Sequence, residues 1–289
     1  MLYWQLPMKE LHDLGLVHAG DVESFYPRVR DRADIAVLRD KKTGVIFLNT
    51  TEHMDVSHYG ALKGGSYWGG TDRRKALELY KEDDERRAAQ FGALIKGKDF
   101  IDIGCGTGGL LDRIKDSAKS AAGVEPQNYA REELEKLGYP MYRLSTDVPS
   151  GSFDVAGLFH VFEHFTEPLK TLREAKDILR PGGAVVLEVP HARDVLLKLE
   201  AFRAFTLWSE HLILHTKDSL ATYLEAAGFK DVRIEGFQRY PLSNHIGWLV
   251  DGSPGGQKRH TAFDTSTPAY AQLLQETDQT DTLIAFAIK

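Results

Sequence analysis

The chain is predicted to be an α/β protein, a mostly parallel sheet covered by helices on both faces. Three observations predict it. Short apolar, β-rich runs alternate with helix-like stretches from residue 73 onward, the pattern of strands joined by crossover helices. Residues 100–111 read FIDIGCGTGGLL, an apolar run closed by an acid that passes straight into a glycine-rich turn and then a helix. Glu125 ends a second apolar run 23 residues after Asp102, where a nucleotide-binding unit of this kind keeps its ribose-binding acid.

The elements follow in order. Residues 34–39 and 44–48 are β-rich and flank Asp40-Lys41-Lys42-Thr43, a predicted hairpin preceded by a short helical piece. Residues 73–95 carry Leu77, Tyr80, Ala88, Phe91 and Leu94 at mostly helical intervals among charges, an amphipathic helix that a break could interrupt. After the strand at 100–103, further strands are expected at 121–124, 141–144, 153–159, 184–189 and 231–235, with helices at 126–137, 168–179 and 217–227 between them. Gly228 suits the residue just past the last of these helices. A strand at 282–288 ends the chain. The segment 237–269 is long for a connection inside a compact domain, which marks it as a binding insertion or a surface flap packing Trp248 on the sheet edge. The expected organisation is an N-terminal extension over 1–72 and a main domain over 73–289, with 237–269 inserted on the substrate side.

Composition fits an enzyme able to bury a full core: 289 residues, 42% of them hydrophobic. Lys and Arg total 36 against 42 Asp and Glu, so the formal charge is −6 and no global positive field attracts phosphate backbones. A nucleic-acid partner is therefore not expected. The single Cys105 excludes an intrachain disulfide and a cysteine-rich metal module. With no secretory signal and no long apolar run, a cytoplasmic protein without a membrane span is expected.

The spacing of the turn separates it from a dinucleotide site. G-x-G-x-x-G sets a helix N-terminus against a pyrophosphate, whereas here G-C-G-T-G follows an acid two residues before the first glycine. This resembles the class I S-adenosylmethionine (SAM)-dependent methyltransferases. The resemblance runs over roughly 73–236, through FDVAGLF at 153–159, HVFEH at 160–164 and ILRPGGAVVLEVP at 178–190. It implies a Rossmann-like, seven-stranded sheet whose last strand inserts antiparallel, with SAM as cofactor and S-adenosylhomocysteine (SAH) as product. It also implies a SAM site of Asp102, Gly104, Cys105, Gly106, Gly108, Glu125, Pro126 and His160. Many relatives place an acid after the third strand for the adenine amino group. Leu144-Ser145-Thr146 stands there instead, so Ser145 and Asp147, or backbone alone, are expected to hold the base.

The pentad His160-Val161-Phe162-Glu163-His164 follows the fourth strand of the main domain, on the side where open α/β sheets bind ligands. If helical, it sets His160, Glu163 and His164 on one face. Three readings compete. His164 could deprotonate an acceptor hydroxyl with Glu163 orienting it; the three could ligate a metal, with His191, His211 or His215 as a further ligand; or they could simply line the cofactor pocket. The base reading is preferred, with His211, in Trp208-Ser209-Glu210-His211, as the second candidate and no metal expected. Arg239, Tyr240, Asn244 and His245 are the expected acceptor-binding residues, with Tyr67 and Trp68 between glycine pairs as a hinged lid.

The hairpin at 34–48 is similar to that of deoxysugar C-methyltransferases, without their zinc-binding cysteines. SEHLILHTKDSLATYLEAAGF at 209–229 and RYPLSNH at 239–245 are similar to methyltransferases of surface-polysaccharide synthesis. Together these imply an enzyme that methylates oxygen of a sugar, sugar nucleotide or similar polar small molecule. A metal-dependent RNA 2′-O-methyltransferase and a non-catalytic SAM-binding or partner-binding protein remain as alternatives, and oligomeric state is left open.

Overall fold

In the computed structural model, which describes residues 6–54 and 72–289, two sheets are joined by one core. The first elements are helix α1 (Leu6–Asp13) and strands β1 (Val22–Tyr26), β2 (Val37–Asp40) and β3 (Ile46–Leu48). The predicted hairpin is β2–β3, paired antiparallel with Val37 opposite Leu48. Asp40 sets its turn, accepting from the backbone N–H groups of Lys42 and Thr43 at 2.9 and 2.8 Å, as an acid at the start of a turn does. The lid candidates Tyr67 and Trp68 lie outside the described residues.

Helix α2 (Arg73–Ile95) is continuous over 23 residues. Its N-cap is Asp72, whose side chain accepts from the Arg74 N–H. Then come β4 (Asp99–Ile103), α3 (Gly109–Ile114), β5 (Ser120–Val124), α4 (Asn128–Lys136), β6 (Met141–Tyr142), β7 (Phe153–Phe159), α5 (Pro168–Ile178), β8 (Leu179–Pro190), α6 (Glu200–Thr206), β9 (Ile213–Leu214), α7 (Lys217–Ala226) and β10 (Lys230–Phe237). The large sheet has the order β10-β11-β8-β7-β4-β5-β6, and β11 (Thr282–Ile288) runs antiparallel to both its neighbours. This is the seven-stranded, mostly parallel architecture that the sequence predicts. Gly228 takes φ +85° just past α7, the left-handed residue that ends many helices.

Every residue of β4 is buried, as a central parallel strand requires. Successive side chains go to opposite layers: Phe100 packs with Phe91 and Ile95 of α2 and with Leu110, Leu111 and Ile114 of α3, while Ile101 and Ile103 join the other layer. That second layer is continuous with Leu11, Val37, Ile46 and Phe47 of the N-terminal elements. The small sheet has the order β1-β2-β3-β9 and so takes its fourth strand from the main part of the chain, with Phe47 opposite Ile213.

The segment 237–269 is largely helical. It contains α8 (Leu242–Asp251), α9 (Gly256–Arg259) and a 3-10 turn, and runs into α10 (Thr267–Glu276). Trp248 is buried, edge-on to Phe202 at 5.1 Å between ring centroids. No described helix is long and apolar enough to cross a membrane.

Candidate functional site

The site forms at the carboxyl ends of β4, β5 and β7, where the strand order reverses between β4 and β7, the place such sheets bind ligands. Two cavities meet there. The smaller, about 320 Å³, is lined by Gly104, Glu125, Pro126 and Gln127, by Leu144, Ser145 and Thr146 after β6, and by Met54. The larger, about 620 Å³, runs from Asp102, Cys105 and Thr107 past Tyr80, Asp83 and Arg87 of α2 to Trp208, Arg239, Tyr240, Asn244 and His245. Gly104, His160 and His164 line both.

The glycine turn works as its composition predicts. Gly104 has φ +79°, and a Cβ there would meet Val161 Cγ2 at 2.6 Å, so both conformation and close approach demand glycine. Gly106 and Gly108 shape the turn without lining either cavity. The Gly106 N–H donates to Glu125 Oε2 at 3.0 Å, and Gly108 caps α3 in the left-handed conformation. The Gln127 N–H donates to Glu125 Oε1 at 2.9 Å. A carboxylate offers about four lone pairs, so Glu125 still has capacity for a ligand's hydroxyls. Burial, against those two donors, pushes its pKa up to about 7. Burial also takes Asp102 up to about 7, against Arg87 and with the fields of Asp84 and Glu125 adding.

Asp147 needs correction. It accepts from the Leu144 N–H at 3.0 Å to close a 3-10 turn and stands exposed, off both cavities. A three-residue turn needs that acceptor, and this side of the smaller cavity is lined by Leu144, Ser145 and Thr146 instead.

The pentad forms a 3-10 turn over Phe162–His164 rather than an α-helical start. His160 holds φ +51°, a strained conformation for a residue with a side chain, fixed by its contacts. Its Nε2 lies 2.8 Å from Arg239 Nη1 and 3.2 Å from Glu188 Oε1, and its Nδ1 3.4 Å from Glu163 Oε1; burial and Arg239 lower its pKa, but the two carboxylates outweigh them and raise it. Glu163 is fully buried, 3.9 Å from His164 Nε2. Burial raises its pKa, but the contact with His160 and the field of His164 outweigh that and hold it at about 2.

His164 stacks on His211 with ring centroids 5.3 Å apart. Burial dominates both imidazoles: the His164 pKa is lowered, and His211, with His164 adding to burial, is pushed down to about 3. Both are neutral at pH 7 and able to accept a proton. Ligand-capable atoms of Glu163, His164 and His211 lie within 4.8 Å of one another, a set that could hold a small divalent cation. His191 and His215 do not join it. His191 Nδ1 is bonded to the Thr280 carbonyl at 3.0 Å, and His215 stacks on Phe162 with Nδ1 3.2 Å from Ser219 Oγ.

Sequence reasoning missed several residues that the fold brings in. Tyr80, Asp83 and Arg87 line the larger cavity from α2, and Glu188 on β8 binds Arg86 and Arg87 at 2.8 Å each. Arg30, exposed at the mouth of that cavity, lies over the Trp208 ring at 4.5 Å. The one local signal was the Arg86-Arg87 pair on an otherwise amphipathic helix; Arg30 had none.

Comparison with known proteins places these features. The methyltransferase-domain family matches residues 73–234. A tRNA U34 carboxymethyltransferase from Hydrogenovibrio crunogenus is 31% identical over 158 residues, 48% of this chain and 46% of that protein. One from Hahella chejuensis is 31% identical over 183 residues, 57% and 55% of the two. The chain thus spans about half the length of these relatives. A SAM-dependent methyltransferase of known structure from Archaeoglobus fulgidus has the same fold: TM-score 0.53, 19% identity, 74% of this chain and 94% of that one.

Proposed function

The chain belongs to the class I SAM-dependent methyltransferase family, and from that premise we propose that it transfers the group on its sulfonium donor to a nucleotide of tRNA. The observation that carries this reading is the repeated likeness, at about 30% identity, to proteins named tRNA U34 carboxymethyltransferase. It corrects the expected sugar or polysaccharide acceptor, which rested on short carboxyl-side patterns. It also corrects the expectation against nucleic acid, for which the RNA alternative was the better reading.

The charge argument misled for a physical reason. Nine Asp and Glu residues are buried among the described residues, and no Lys or Arg is. The molecule therefore presents a more positive surface than its formal −6 suggests. The larger cavity also suits a base turned out of its stack, since Trp208 and Tyr240 set aromatic rings in its wall; Asn244 and His245 stand in the same wall but are bonded to Gln257 at 2.9 Å and to Gln238 and Tyr270 at 3.0 and 2.9 Å.

SAM supplies an electrophilic carbon on a sulfonium. The protein's work is positioning, since an in-line nucleophile about 3 Å away is most of what transfer needs. Glu125 and the 104–106 turn would hold the ribose and methionine portions, Leu144 and Ser145 the base. His164, neutral and lining both cavities, would take the acceptor proton, with the Glu163 carboxylate 3.9 Å from its Nε2 to stabilise the resulting imidazolium and His211 packed on its face.

The test supplies purified protein with tRNA from cells lacking it, with SAM and in parallel with a carboxymethyl-bearing donor, and digests the tRNA to nucleosides for mass spectrometry. One nucleoside should gain an alkyl group with one of the two donors. His164→Ala should abolish that gain, lowering turnover at least about 10²-fold, while SAH still binds. Alkylation of a glycan or sugar nucleotide with no change in tRNA nucleosides would overturn the reading.

A further inference from the structure

We propose that Glu163, His164 and His211 form a three-ligand zinc site on the wall of the larger cavity, and that an ion held there inhibits transfer by taking the lone pair that receives the acceptor proton. The site itself stands on geometry and donor chemistry. The inhibitory role rests on reading His164 as the proton acceptor.

All three side chains line the larger cavity, and each offers a ligand atom within 4.8 Å of the other two. They reach that point from two segments. Glu163 and His164 sit in the turn after β7, and His211 in the loop before β9. The segments are pinned together beside the site, where the Leu212 N–H donates to the Glu163 carbonyl at 2.9 Å. His164 Nε2 lies 3.9 Å from Glu163 Oε1. Ligands on one tetrahedral zinc stand about 3.4 Å apart, so side-chain rotations of about an ångström close the set.

Two imidazoles and a carboxylate suit zinc, whereas magnesium and calcium take oxygen ligands. Three protein ligands leave a coordination position open, here toward the cavity. Oε1 of Glu163 faces His160 Nδ1 at 3.4 Å. Among the described residues Oε2 accepts no hydrogen bond, so the second oxygen is available to a metal. The surrounding charge also favours a cation. His160 is balanced on its other side by Glu188 Oε1 at 3.2 Å, and the buried Glu210 carboxylate favours positive charge at His164 in the same sense as Glu163.

A neutral imidazole has a single ring-nitrogen lone pair, and zinc bound to it leaves nothing to accept a proton. Transfer from a sulfonium asks for positioning and needs no ion. Zinc is therefore an inhibitor at this site and not a cofactor of the reaction.

Zinc titration of the full chain, free of any affinity tag and read by competition with a chromophoric chelator, tests the site without RNA. One zinc per chain should bind with a Kd of about 1 μM or below, and magnesium in large excess should not compete. Cobalt in place of zinc should give the intense visible bands of a low-coordinate ion. Glu163→Gln and His211→Ala should each weaken zinc binding at least about 10²-fold, with SAH binding and the melting profile confirming a folded site. Should Glu163→Gln fail to fold, His211→Ala decides. No zinc bound, or an affinity unmoved in the folded variants, overturns the proposal. In the alkylation assay saturating zinc should stop transfer and chelator should restore it; loss of transfer on adding chelator overturns the inhibitory role. No alkylation under any condition would overturn the tRNA reading and the inhibitory role with it, while the titration still decides the site.

Discussion

Glu125 and Asp102 are the residues whose protonation should be felt first. Burial pushes both carboxyls up to about 7 in the unliganded fold. Glu125 serves ribose hydroxyls best as an acceptor-only anion, and a cationic ligand favours both as anions. Binding must therefore release protons below about pH 7. SAM affinity should rise about tenfold between pH 6 and pH 8, with the proton release visible as a buffer-dependent heat in calorimetry; a flat profile would overturn the assignment. Stability of the unliganded protein runs the other way. The folded-state values lie above the unfolded ones near 4, so this contribution is full below about pH 4 and is lost as pH rises through 7. Glu125→Ala should weaken SAH binding about 10²-fold, the scale of two hydrogen bonds to a charged group, and unchanged affinity would remove Glu125 from the site.

At the scale of elements, α2 is tied to β8 by charge as well as by apolar packing. Glu188 has no exposed surface and takes Arg86 and Arg87 at 2.8 Å each, while Arg239 from the segment after β10 reaches Asp83 of the same helix at 3.6 Å. Removing one member of such a buried network costs more than forming it gained, because the remaining charges stay desolvated. Glu188→Ala should destabilise by about 3 kcal/mol and lower the melting temperature by roughly 6–12 °C. A shift under about 2 °C in thermal denaturation would show the arginines to be satisfied elsewhere. The sequence made α2 legible through its apolar interval and its Asp72 cap, yet its charged stripe reads on paper as a solvated face. Only Glu188, about a hundred positions away, turns that stripe inward. In 237–269 the turn residues Gly252-Ser253-Pro254 fall between α8 and α9, so a segment long for a connection consists mostly of short helices.

At the scale of the whole molecule, the distribution of charge matters more than its sum. Buried carboxylates cluster at the site and under α2, which leaves exposed cations such as Arg30 at the cavity mouth to meet a phosphate backbone. Arg30→Ala should weaken tRNA binding about fivefold and reduce the slope of log affinity against log salt by about one, measured by fluorescence anisotropy over a salt series. An unchanged slope would move the phosphate path elsewhere.

What the sequence by itself determined is what short-range chemistry encodes. Strand and helix alternation, the glycine turn after β4, the acid ending β5 and the antiparallel final strand all depend on residues within about 25 positions of one another, or on a resemblance carried by such motifs. Tertiary structure alone decided the rest. It stacked His211 on His164, left His191 and His215 to structural roles, gave the N-terminal sheet its fourth strand from β9, set Asp147 aside and hid nine carboxylates from solvent. The physical reason is that burial and partnership set the charge and reach of a side chain, and both come from segments that meet only when the chain is folded.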